Sequence, residues 1–106
     1  MLNDSLFVSD KVVKKEVELP DGSKHELYFK ELSHVDFRKY LMAEQSEDDN
    51  TKAESTARLI ALSLCDETGK PALDFKQALK LNIAATTAIT NAIMQVNGFG
   101  AEAKNA

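Results

Sequence analysis

The chain has little of what most chemical sites are built from. Cysteine occurs once, at Cys65, so no disulfide can close within the chain and nothing points to an oxidising compartment. Histidine occurs twice, and His25 and His34 lack metal-ligand spacing to each other or to Cys65. There is no tryptophan, and two prolines and four glycines are too few for a fibrous or low-complexity chain. Positive charge is also short. Thirteen Lys and Arg against 17 Asp and Glu give a net charge of −4, which weighs against nucleic acid as the main partner. No apolar run approaches the roughly 20 residues that cross a bilayer. The opening MLNDSLFVSD carries an acidic residue where a signal peptide would carry its basic start. The expectation is a soluble, intracellular protein with no membrane partner.

What is present is enough for one core. The 106 residues are 43% hydrophobic and 28% charged, which predicts a single domain over residues 1–106. Residues 1–10 read as an irregular lead-in. KVVKKEVEL (11–19) alternates, with Val13, Val17 and Leu19 on one face and Lys14, Glu16 and Glu18 on the other. That period is the strand signal. Pro20-Asp21-Gly22-Ser23 is a turn, and HELYFK (25–30) alternates again with Leu27 and Phe29 inward, so 11–30 is a β-hairpin. A lone hairpin is marginal in water, so its apolar face must lie on the helices that follow. Lys11, Lys14 and Lys15 are read as blunting an open strand edge rather than as a phosphate site.

Helices fill residues 33–96. Ser33 is placed to cap a first helix running to about Gln45, with Asp36 three residues on and Phe37, Tyr40 and Leu41 on one face. The acidic SEDDNTKAES leads into a second helix from about Lys52 to Cys65, apolar on nearly every side from Leu59 onward and therefore central to the core. Asp74 caps a short helix through FKQALK, and Asn82 caps a last one from Ile83 to about Val96. Asn97-Gly98 stops it, and 97–106 is a flexible tail. The predicted fold is α+β and mainly helical: a hairpin, then about four helices, two of them joined by a tight Gly/Pro corner.

That corner, Asp66-Glu67-Thr68-Gly69-Lys70-Pro71, fails each chemical template. A P-loop needs glycine where Leu64 stands and Ser or Thr where Pro71 stands. A calcium loop needs a second acidic or amide ligand where Thr68 stands and a glutamate where Phe75 stands. Cys65 has no Cys-His signature and reads as a buried, inert thiol. Glu47, Asp48 and Asp49 read as a solvated acidic loop, and no serine lies in a nucleophile-elbow setting. No catalytic, cofactor or metal site is expected, and no enzyme.

One segment stands out by omission. From Leu81 to Ala101 no side chain is charged. Ala85, Ile89, Ala92, Ile93 and Val96 form a core stripe, and Thr86, Thr87, Thr90 and Asn91 lie opposite. A charge-free face of small polar residues suits close approach by a partner, because there is no charge to desolvate. The alternative is a neutral but solvated face. These four residues are the candidate partner-binding surface.

The stretch ARLIALSLCDETGKPALDF and the ending NGFGAEAKNA resemble the tail assembly chaperones of long-tailed, siphovirus-type bacteriophages and prophages. Arg58, Leu59, Ala61, Leu62, Ser63, Leu64, Cys65, Asp66, Glu67 and Gly69 match that family's helix-and-turn pattern in order, as do Asn97 and Gly98. The resemblance covers roughly the C-terminal half and rests on a packing and turn pattern. It implies a non-catalytic function: binding the tape-measure protein and keeping it soluble in the host bacterial cytoplasm before the tail tube polymerises. It also implies absence from the mature virion, weak self-association, and a longer frameshifted form that recruits the major tail (tube) protein and diverges around Gly98–Ala106. The reading set against it is a small structural or connector component of the virion. A nucleic-acid-binding regulator ranks below both, for want of a basic face.

Overall fold

The computed structural model describes residues 2–99. A single 3-10 turn at Asp4–Leu6 precedes β1 (Val12–Glu18) and β2 (Lys24–Lys30). These pair antiparallel in a register that sets Val13 opposite Phe29, Lys15 opposite Leu27 and Val17 opposite His25. Asp21 accepts from the backbone N–H and the hydroxyl of Ser23, and Gly22 takes a φ of 87°, so the expected turn residues close the hairpin. On the outward face Glu16 stands opposite Glu26, a repulsive pair. Lys14 answers it at 3.0 Å from Glu26, and Lys24 stands 3.9 Å from Glu16.

Four helices follow: α1 (His34–Glu44), α2 (Asp49–Ser63), α3 (Phe75–Ala78) and α4 (Ile83–Val96). Each begins at a side-chain cap. Ser33, Asp48, Asp74 and Asn82 accept from the backbone N–H groups of Asp36, Thr51, Gln77 and Ala85, satisfying donors a helix start leaves open. At α3 the glutamine at the third position returns the bond, completing a capping box. The last helix stops where expected. Gly98 takes a φ of 88°, and the N–H of Phe99 reaches back 2.8 Å to the carbonyl of Met94.

The second helix departs from the sequence expectation at both ends. It starts at Asp49, not Lys52, because Asp48 is available as a cap. It ends at Ser63, not Cys65. Leu64 turns extended, and Leu64–Cys65 becomes β3, pairing antiparallel with Phe29 and Tyr28 of β2. The sheet is thus three-stranded, with β2 in the centre. The physical reason lies in β2. Beside the core its second edge would hold unpaired backbone groups, and two residues of strand together with the hydroxyl of Ser63, 2.8 Å from the carbonyl of Lys30, supply partners. Leu62, expected inside an all-round apolar helix, is 47% exposed. Of the short helix expected through Lys80, only Phe75–Ala78 is helical.

The core gathers Val17 and Phe29 of the sheet, Leu32, Leu59 and Ile60 of the middle of the chain, Leu64, and Ile89, Ala92 and Ile93 of α4. Phe29, Leu59, Ile60 and Ile93 are fully buried, each contributing on the order of 1.5–3 kcal/mol. Val13 lies on the inward face beside them but at the sheet's edge, where it stays partly exposed. Lys15 also lies on that face, and its ammonium reaches Gln95 of α4 at 2.8 Å. An inward lysine on an edge strand is one of the devices by which proteins discourage pairing with another chain.

Candidate functional site

The corner after β3 is a closed turn. Asp66 accepts from the N–H and hydroxyl of Thr68 and from the N–H of Lys70, at 2.8, 2.6 and 3.1 Å. Those bonds, the Thr68 hydroxyl first, hold the Asp66 carboxyl below the usual aspartate value. Gly69 makes the reversal at a φ of 90°, and Pro71 returns as a bridge opposite Cys65. The carboxylate is spent on its own backbone. Cys65 is buried, and burial raises its thiol pKa, with Lys30 acting in the opposite sense. That is the setting of an inert thiol rather than of a nucleophile. The acidic loop is similarly committed, since Asp48 holds the N–H and hydroxyl of Thr51. Among the described residues no group of three or more His, Cys, Asp or Glu side chains is placed to hold a metal ion. No described helix is long and apolar enough to cross a membrane.

The four residues singled out on α4 are divided by the fold. Ala85 and Ile89 turn to the sheet, where they meet Val17, Leu19 and Leu27. Thr87 and Asn91 are exposed and, with Ala84 and Ala88, form one wall of an open depression whose other wall is Glu18, Leu19 and Pro20 of the hairpin turn. Thr86 and Thr90 are half-buried, and the Thr90 hydroxyl donates to the carbonyl of Thr86 at 2.7 Å. Thr87 and Asn91 thus remain reachable, while Thr86 and Thr90 are partly occupied by the protein itself.

Sequence reasoning did not find the more apolar surface. A groove between α1 and α2 is lined by Tyr40, Ala43, Leu59 and Leu62, with Lys39 and Arg58 contributing their stems. At its far end Glu44 accepts from the hydroxyls of Ser55 and Thr56 at 2.8 and 3.4 Å. Tyr40 sits beside them, and burial, then the Glu44 charge, raises its pKa. Arg58 lies 4.2 Å over the ring of Phe75, which fixes its position between α2 and α3. Outside the groove, α1 also carries Val35, Leu41 and Met42, too many apolar residues for one buried stripe. All three are exposed.

A family model described as phage tail assembly chaperone, TAC, matches residues 1–97. No curated protein and no solved structure matches the chain. The matched region extends well beyond the C-terminal half that carries the legible motif. It takes in the hairpin, all four helices and the closing Asn97. The chain belongs to the phage tail assembly chaperone family.

Proposed function

We propose that this protein binds the tape-measure protein of a long-tailed phage and keeps it soluble in the host cytoplasm until the tail tube polymerises around it, without catalysing any reaction. The family match over residues 1–97 carries this reading. The surface supports it: large apolar side chains stand exposed on the N-terminal segment, on α1, at Leu62 and at Ile83. A tape-measure chain presents long apolar helix faces, and helix-in-groove contacts of that kind are read by apolar anchors. Thr87 and Asn91, with the half-buried Thr86 and Thr90, offer an uncharged contact on another side of the molecule. Many weak contacts along a rod-like partner, made by copies that also associate weakly with one another, add up through effective concentration. The net charge of −4 keeps such a coated assembly soluble. A longer form made by frameshifting near the end of this reading frame recruits the tube subunit.

The test is affinity capture of the tagged protein from phage-producing cells, with mass spectrometry of the eluate and of purified virions. Co-purification of a very long helical tail protein, with the bait absent from finished particles, is expected. The bait as a stoichiometric component of mature virions would instead make it a structural or connector protein. Recovery of no tail protein would refute tape-measure binding.

A further inference from the structure

α1 is the least embedded of the three longer helices. None of its residues is fully buried, whereas α2 and α4 each bury several. On the α2 side of their shared seam Ser55 and Leu59 are hidden, at 1% exposure each. The seam is incompletely filled, since the groove beside Tyr40, Ala43, Leu59 and Leu62 holds a hollow of about 130 Å³. Two contacts tie the N-terminal end of α1 to the end of α4. The Asn97 side chain accepts the N–H of Leu32, just ahead of α1, at 2.8 Å. Phe99 lays its ring on Phe37 of α1, with centroids 5.0 Å apart and planes 12° from parallel. The Phe99 backbone is anchored, because its N–H reaches the carbonyl of Met94, yet the residue is 46% exposed. The clasp on α1 therefore sits at the surface, while the helix that carries it belongs to the core.

We infer that α1 is a detachable lid over α2 and that Phe99 is its latch. Opening takes α1 off α2 while the hairpin, α2 and α4 keep their fold. It bares the Ser55 and Leu59 side of α2 together with Phe37 and Tyr40 of α1. Eleven residues are too few for a helix to persist alone in water, so α1 melts as it leaves. Its departure removes no fully buried side chain from the core, whereas the loss of α4 would expose Ile89, Ala92 and Ile93. Local opening falls to the element with the fewest buried contacts, which here is α1. Phe99 lies beyond the last turn of α4, so the latch can be released without disturbing that helix's buried residues. A ligand that takes Phe99 for itself therefore loosens α1, and the end of α4 controls access to a hidden apolar strip. The device is a property of the chain alone and does not rest on the reading of its partner.

Amide hydrogen exchange of the full chain tests this. In the wild type, residues 38–44 of α1 should show roughly tenfold less protection, or lower still, than residues 88–93 of α4. Phe99→Ala should speed exchange in α1 by roughly three- to tenfold, the worth of one aromatic stacking contact, and leave residues 88–93 unchanged. Phe99→Tyr keeps the ring and should restore the wild-type rate. A second measurement uses Cys65, the chain's one cysteine, as an internal reference. Ser55 and Cys65 are both buried, the first under α1 and the second in β3. In the Ser55→Cys variant the introduced thiol should react with iodoacetamide roughly tenfold faster than Cys65 or more, each relative to its rate in the denatured chain. Adding Phe99→Ala should speed the introduced thiol and not Cys65. Equal protection of α1 and α4, a Phe99→Ala effect that is absent or spread evenly over both helices, or equal reactivity of the two thiols overturns the proposal.

Discussion

The first and last helices make opposite bargains with solvent. α1 carries Asp36, Arg38, Lys39 and Glu44 and buries no residue fully. It lies on α2 through the half-buried Phe37 and Tyr40 and is secured at its ends. There the Glu44 bonds to Ser55 and Thr56 face one way, and the stacking of Phe37 on Phe99, 5.0 Å between centroids, the other. α4 carries no charge and buries Ile89, Ala92 and Ile93 against α2 and both long strands. The charge-free helix is thus a core element, and its lack of Lys and Glu follows from contact with three neighbours. The charged helix exposes three large apolar residues, Val35, Leu41 and Met42, whereas α4 exposes one, Ile83 at its first position. Charge content alone is a poor guide to which surface a partner meets; what matters is how many sides of the helix the protein itself covers.

The sharpest test of this contrast removes core from α4. Ile93→Ala should cost about 2–5 kcal/mol in chemical denaturation, because Ile93 is fully buried and the cavity it leaves is walled by several elements. Phe37→Ala, on the half-buried face of α1, should cost less despite the larger side chain lost. An equal or larger loss at Phe37 would make α1 as much a part of the core as α4.

Next in size is the joint between the two helices. The Asn97 side chain accepts the N–H of Leu32 at 2.8 Å and donates to the carbonyl of Ile93 at 2.8 Å, tying the end of α4 to the entry of α1. Asn97→Ala leaves the Leu32 N–H beside a buried residue without that acceptor and should cost about 1–3 kcal/mol. Asn97→Asp keeps the acceptor and should recover part of the loss.

Ser55→Ala, on α2, probes how α1 is held against it. The buried hydroxyl donates toward Glu44 and the carbonyl of Lys52, both at 2.8 Å, and its loss should cost about 1 kcal/mol. Amide hydrogen exchange should quicken across α1 while α4 stays protected. Uniform quickening in both helices would show that they open as one unit.

The smallest effect is on pH. Hydrogen bonds hold the carboxyls of Asp21, Asp48 and Asp66 below the ordinary aspartate value, from Ser23, Thr51 and Thr68 respectively. Folding therefore favours their ionised form. The stability they add is fully present above the unfolded value of about 3.9 and is lost as pH falls through the lower folded values. All three are exposed turn or cap residues, so the melting temperature should fall gently below about pH 4, with no transition near neutrality. Asp66→Asn should flatten the curve.

Local rules in the sequence were enough for the hairpin and for the starts of α1, α3 and α4. Alternation placed Val17, Leu27 and Phe29 inward, Asp21 and Gly22 closed the turn, and Ser33, Asp74 and Asn82 each capped a helix within a few residues of themselves. These features depend on neighbours in the chain, so spacing alone exposes them. Leu64 and Cys65 were different. Nothing near them favours strand over helix, and only the open edge of β2, more than thirty residues earlier, draws them out of α2. The candidate partner face shows the same limit, because the helical period placed Thr86 and Thr90 beside Thr87 and Asn91 without knowing which flanks the fold would cover. The groove between α1 and α2 has no local signature at all, since its walls come from two helices and its openness from what does not pack there. Residue order alone settled how the hairpin turns, where α1, α3 and α4 begin and where α4 stops, because those choices are made by groups within a few residues. Only the tertiary structure decided which apolar residues are core and which remain on the surface, because burial depends on distant segments arriving at the same place.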